Sequence, residues 1–189
     1  MEPVIGFAMC GSFCTFSTVL AQLEQFRRTY PNLIPILSEA AYDSDTRFGE
    51  AAAFRAQLEA LCGHEILHTL QDVEPIGPKH LLDALVVAPC TGNTLAKLAA
   101  GIADGPVTLA VKAHLRNERP VILAVSTNDA LAGNAASIGA LLNRRHYYFV
   151  PFRQDNALKK PRSMVADFTK LTGTVSAALE GRQLQPLLA

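Results

Sequence analysis

Residues 84–88 read ALVVA and residues 121–125 read VILAV, two unbroken apolar runs. A strand with one face in water alternates apolar and polar side chains, so runs of this kind predict strands covered on both faces. Such strands need helices above and below them. Residues 4–9 and 33–37 are further short apolar segments, with residues 147–150 as the last strand and residues 65–70 as one more short candidate. Pro35 has no amide hydrogen to give a neighbour, which places its strand at a sheet edge.

Helical periodicity fills the gaps between these runs. Phe16, Val19, Leu20, Leu23 and Phe26 recur at spacings of three and four, and Phe54, Leu58 and Leu61 do the same ahead of Gly63. Residues 95–102, a segment restarting at Gly105-Pro106 and running to about Leu115, and residues 135–142 are also read as helices. Residues 151–162 are polar and read as a loop, followed by a helix from about Met164 to Leu179. Strand and helix therefore alternate. The expectation is an α/β three-layer sandwich, Rossmann-like, with a mainly parallel sheet and helices on both faces, in a single domain over residues 1–189.

With 17 basic and 17 acidic residues the net charge is +0, so the footprint of a nucleic-acid binder is missing. No apolar run approaches the roughly 20 residues of a membrane span, and Met1-Glu2-Pro3-Val4 has no basic leader region. A cytoplasmic protein is expected, with neither nucleic acid nor membrane as partner. Cys10, Cys14, Cys62 and Cys90 show no paired spacing, and His64, His68, His80, His114 and His146 form no ligand motif, so no metal site is expected. Most thiols read as small hydrophobes, while Cys10 and Cys90 fall at strand-to-helix turns where helix amides can lower a thiol pKa.

Ligands of a parallel α/β sheet sit beyond the carboxyl ends of its strands. Three turns there share small and hydroxyl residues: Gly11-Ser12, Thr91-Gly92-Asn93-Thr94, and Ser126-Thr127-Asn128-Asp129. Any one of them alone reads as helix capping. Three on one edge point to a ligand, and helix starts behind them favour an anion such as phosphate. A P-loop is excluded because Ser12 stands where its lysine is needed, and no G-x-G-x-x-G follows the first strand. Lys97 either reaches an anionic ligand or stays solvated. Asp43, Asp45, Arg47 and Glu50 read as a helix entrance, with substrate contact as the second possibility.

The stretch APCTGNTLAKLAAGIAD, residues 88–104, resembles the P-A-S-A-N-T segment of the flavin-containing cysteine decarboxylase-like flavoproteins, with Gly92 where alanine is usual. Gly11-Ser12 and Ser38 match that family's phosphate positions. The blocks DTRFGEA (45–51), LRNERPVILAVSTNDAL (115–131), YFVPFRQD (148–155), Lys160-Pro161 and GRQLQPLL (181–188) resemble more narrowly the branch of the family that serves as the second subunit of a dipicolinate-forming oxidoreductase of spore-forming bacteria.

The resemblance implies a flavodoxin-like fold, FMN as cofactor, and a homo-oligomer, a trimer or a multiple of it. It implies that Gly11, Ser12 and Ser38 hold the phosphate, and that Thr91, Gly92, Asn93 and Thr94 line the ribityl chain and ring. Ser126, Thr127 and Asn128 match a further cofactor-contacting segment, in which only the asparagine is shared. The branch implies oxidation of a dihydrodipicolinate-type dicarboxylate together with an NAD(P)-binding A subunit, in the mother cell during sporulation. A dianionic substrate asks for cations, and Arg47, Lys97 and Arg116 are the candidates. The decarboxylases' catalytic histidine aligns with Pro75, which has no proton to give. A flavin-dependent cysteinyl decarboxylase would need His80 or Cys90 instead, and a non-catalytic flavin- or substrate-binding subunit is the third reading. No general base is assigned.

Overall fold

The computed structural model describes residues 2–188. The two solid apolar runs lie side by side as β3 (Ala84–Cys90), buried along its whole length, and β4 (Val121–Thr127). Around them stand β1 (Val4–Met9), β2 (Asn32–Leu37) and β5 (Tyr147–Phe149), all parallel, in the order β2-β1-β3-β4-β5. That is the flavodoxin-like order, whose reversal between β1 and β3 opens a crevice beyond the strand ends. Pro35 lies on the edge strand β2, as its missing amide hydrogen requires.

The helices are α1 (Phe16–Phe26), α2 (Glu39–Asp43), α3 (Ala51–Cys62), α4 (Leu70–Val73), α5 (Gly92–Ala100), α6 (Pro106–Leu115), α7 (Ala135–Leu142) and α8 (Leu171–Leu179). α1 turns Phe16, Val19, Leu20, Leu23 and Phe26 inward, the five residues its periodicity selects. Gly63 ends α3 at φ 73°, a left-handed conformation that costs glycine little. Buried side chains from both faces of the sheet meet in one continuous core that includes Phe7, Val86, Ile122 and Phe149.

Residues 151–166 depart from the expected loop and helix. They form an antiparallel hairpin, β6 (Phe152–Asn156) and β7 (Lys160–Ala166), and β7 pairs with Ser126 and Thr127, the last two residues of β4. β5 pairs only with Val121 to Leu123, so the hairpin takes over the β4 edge where β5 has ended. β5 is therefore not the last strand, and the C-terminal helix begins at Leu171, after a single 3-10 turn. Residues 65–70 give only a bridge, Leu67 beside Ile36. The short helix α2 after β2 has too few residues for its periodicity to show in the sequence.

Candidate functional site: a polar edge beyond the parallel strands

The turns after β2 and β3 have polar groups set by local capping, and those after β1 and β4 are tied to each other. Ser38 caps α2, its Oγ accepting from the amide of Ala41 at 3.3 Å. Thr91 caps α5 in the same manner, accepting from the amide of Thr94 at 3.2 Å. Ser12 Oγ and Ser126 Oγ lie 2.8 Å apart, joining the turn after β1 to the end of β4. Thr94 is buried, and its hydroxyl is engaged by Thr91 at 3.0 Å and by the Cys10 sulfur at 3.2 Å.

Two adjoining clefts occupy this edge. The larger, about 720 Å³, is lined by Gly11, Ser12, Thr91, Gly92, Asn93, Ser126, Thr127 and Asn128 among others. The smaller, about 350 Å³, is lined by Gly11, Ser38, Thr91, Asn93 and Thr94, with Lys97 at its side. Both fall within the volume range of small-molecule sites. Gly11, Thr91 and Asn93 belong to both, so the two spaces share a wall.

The structure adds residues that were not among the cofactor or substrate candidates. Phe48, Cys14, Asp155, Lys160, Ser163 and Met164 line the large cleft, as do Asp129 and Asn134. The Asp129 carboxylate accepts from Thr127 Oγ1 at 2.5 Å and from Asn134 Nδ2 at 2.7 Å. This trio packs against Gly92. A methyl group there would stand 2.5 Å from Asn134 Nδ2, 2.6 Å from Thr127 Oγ1 and 2.8 Å from Asp129 Oδ1, far inside contact distance. Glycine in place of the usual alanine is thus matched by the polar trio that fills its space. Only 8 % of Asn134 is exposed, and its Oδ1 is buried without a partner.

The expected substrate cations do not gather here. Arg116 is a correction: it caps the C-terminus of α6, which leads into the start of β4, so it lies at the opposite edge of the sheet. Lys97 does line the small cleft, but its Nζ binds both oxygens of Asp104 at 2.8 and 2.9 Å and holds that carboxyl below its ordinary pKa. Arg47 is exposed, with its guanidinium over the Phe48 ring at 4.9 Å. Lys160, in the large cleft, is paired with Asp155 at 2.6 Å. Among the described residues lining the two clefts, both cations are therefore already matched by acids.

The thiols also differ from expectation. Burial pushes Cys10 up to about 11 and Cys90 well above the ordinary thiol value, outweighing any help from helix amides. His80 is exposed and precedes β3 near the start of β1, where the Asp83 amide donates to the Val4 carbonyl. It cannot serve a site at the other end of the strands.

Residues 6–158 match the Flavoprotein family model. The chain belongs to the Flavoprotein family. It is 42 % identical to the B subunit of dipicolinate synthase of Bacillus subtilis (strain 168), over 97 % of this chain and 92 % of that one. A crystal structure of the dipicolinate synthase B subunit from Bacillus halodurans C superposes with a TM-score of 0.91 at 39 % identity, covering 99 % of this chain and 96 % of the other. The FMN-dependent cysteine decarboxylase SpaF shares the fold at a TM-score of 0.68 and 23 % identity, over 95 % and 96 % of the two chains.

The edge is chemically suited to the flavin that the Flavoprotein name implies. Hydroxyls and amides outnumber charges, Gly92 keeps the wall flush, and Asn134 Oδ1 is an acceptor awaiting a donor. Glu39 already stands against Gly105 at the start of α6, and Asp129 against Gly92 at the start of α5.

Proposed function

We propose that this chain is the flavoprotein-type B subunit of a dipicolinate-forming oxidoreductase, binding FMN across the two clefts. It oxidises dihydrodipicolinate to dipicolinate together with an NAD(P)-binding A subunit. The observation that supports this most is the convergence of all ten cofactor candidates on the two adjoining clefts at the strand-order reversal. The 42 % identity to a dipicolinate synthase chain supplies the substrate class.

In this reading Gly11, Ser12 and Ser38 hold the phosphate, and Thr91, Gly92, Asn93 and Thr94 line the ribityl chain and ring. Ser126, Thr127 and Asn128 close the far wall. Bound FMN supplies a hydride acceptor, and the chain orients the substrate and keeps water out. Because Lys97 and Lys160 are paired with Asp104 and Asp155, the two substrate carboxylates draw their counter-charges from Arg47, from rearranged lysines or from another chain. A homo-oligomer, a trimer or a multiple of it, places such a neighbour at the open cleft. The setting is the cytoplasm of the mother cell of a sporulating bacterium.

Cysteinyl decarboxylation is disfavoured on this chain's own residues. Pro75 stands at the histidine position, His80 lies at the wrong edge, and Cys90 is fully buried. The decisive assay compares turnover of dihydrodipicolinate by the A subunit alone and by the pair. A large gain from adding this chain supports the catalytic reading; equal rates leave it a non-catalytic partner, and CO2 release from cysteinyl peptides would restore the decarboxylase.

A further inference from the structure

We infer that Asp129 is the proton acceptor of the dehydrogenation, held in position by Thr127 and Asn134; this rests on the dipicolinate-forming reading above. Turning a dihydro ring into an aromatic pyridine removes two hydrogens and two electrons. One hydrogen leaves a ring carbon as hydride, carrying its bonding pair to the flavin or nicotinamide oxidant. The other leaves as a proton, and its bonding pair enters the ring's new π-bond. That proton needs an acceptor within hydrogen-bond reach of the bound ring.

Few groups in the cleft can take it. No histidine lines either space. Two carboxylates line the large cleft, and Asp155 is committed to Lys160 on the hairpin. Glu39 lies in the small cleft against Gly105. Asp129 is bound only by neutral donors, one on each oxygen, Thr127 at 2.5 Å and Asn134 at 2.7 Å. An ionised carboxylate has about four acceptor sites, so each oxygen keeps a lone pair for a proton. The missing methyl of Gly92 is what lets the carboxylate sit in the wall, since a Cβ would come within 2.8 Å of Oδ1. The other titratable groups facing this space are Cys14, on the single 3-10 turn after β1, and the Asp155–Lys160 pair on β6 and β7. Cys14 is the one competing acceptor.

The test uses the chain with FMN and the A subunit present and reads two quantities: turnover of dihydrodipicolinate, and binding of pyridine-2,6-dicarboxylate by calorimetry without any turnover. In Asp129→Asn turnover falls roughly 10²–10⁴-fold, while the product binds at least as tightly as in wild type, because the variant removes a like charge beside a dianion. Asp129→Glu, which keeps the carboxylate, retains more turnover than Asp129→Asn. Turnover kept in Asp129→Asn, lost equally in Asp129→Glu, or lost to the same extent in Cys14→Ala each overturns the assignment and leaves the reading of the site standing, as does weaker product binding in Asp129→Asn. A wild-type complex that binds no dicarboxylate overturns both. The Asp129→Glu and Cys14→Ala comparisons decide even where Asp129→Asn fails to fold.

Discussion

Ser12 Oγ and Ser126 Oγ stand 2.8 Å apart and close a bridge over 114 residues of chain, tying the turn after β1 to the end of β4. Neither group belongs to the apolar core, so the bond fixes the shape of the ligand edge more than the stability of the sheet. A net hydrogen bond of this type contributes about 1 kcal/mol. Ser12→Ala and Ser126→Ala should each cost about that much in urea unfolding, and the double variant little more than either alone. Both should also release FMN faster.

Gly92→Ala should cost about 1–3 kcal/mol by overpacking, although alanine is usually the better residue at the start of a helix. The methyl has to displace Asn134, Thr127 and Asp129 at 2.5 to 2.8 Å. Adding Asn134→Ala to Gly92→Ala should recover part of the loss, which chemical denaturation will show.

His114 is fully buried, donates through Nε2 to the Pro120 carbonyl at 3.1 Å, and leaves Nδ1 without a partner. Burial pushes its pKa down to about 4 from 6.5, with the Pro120 carbonyl opposing. The unfolded chain therefore takes the proton first as pH falls. Stability is full above about pH 6.5, drops through the window from 6.5 to 4, and levels below it, a loss of about 3 kcal/mol at the linkage value per pKa unit. His114→Gln should flatten that slope in denaturant titrations run from pH 4 to 7.

Cys14 is exposed, whereas Cys10, Cys62 and Cys90 are buried. Burial also pushes Cys62 up to about 12. A thiol reagent at neutral pH should modify Cys14 in the native protein and reach the other three only on unfolding. Rapid modification of Cys10 or Cys90 would mean that the edge opens.

The sheet was legible because β3 and β4 are apolar on both faces and α1 shows one clean buried stripe. The hairpin was not. Met164, Phe168, Leu171 and Val175 continue a spacing of four, three and four, so helical periodicity runs upstream into what is strand β7. The outer half of the hairpin is polar because it is exposed, and a polar exposed strand looks like a loop. The glycine and hydroxyl turns were legible as chemistry, Asp129 among them, but the packing of Asp129 and Asn134 on Gly92 was not. What marks them is their approach to Gly92, a contact between turns some 40 residues apart that no local pattern encodes. Arg116 was readable and misread: a helix that leads into the start of a parallel strand must end at the edge away from the ligand.

Because Arg116 lies at that far edge, Arg116→Ala should leave FMN and dicarboxylate affinity within about twofold of wild type. Lys97→Ala, in contrast, frees the Asp104 carboxylate beside the small cleft and should weaken phosphate-bearing ligands.

The most direct measurement is the visible spectrum of the purified chain after incubation with FMN and removal of free ligand. A retained flavin spectrum that is lost in Asn93→Leu, with the fold intact by circular dichroism, is what the two-cleft site predicts, since Asn93 is exposed in the first turn of α5, outside the core. A wild-type protein that stays colourless after FMN would contradict it.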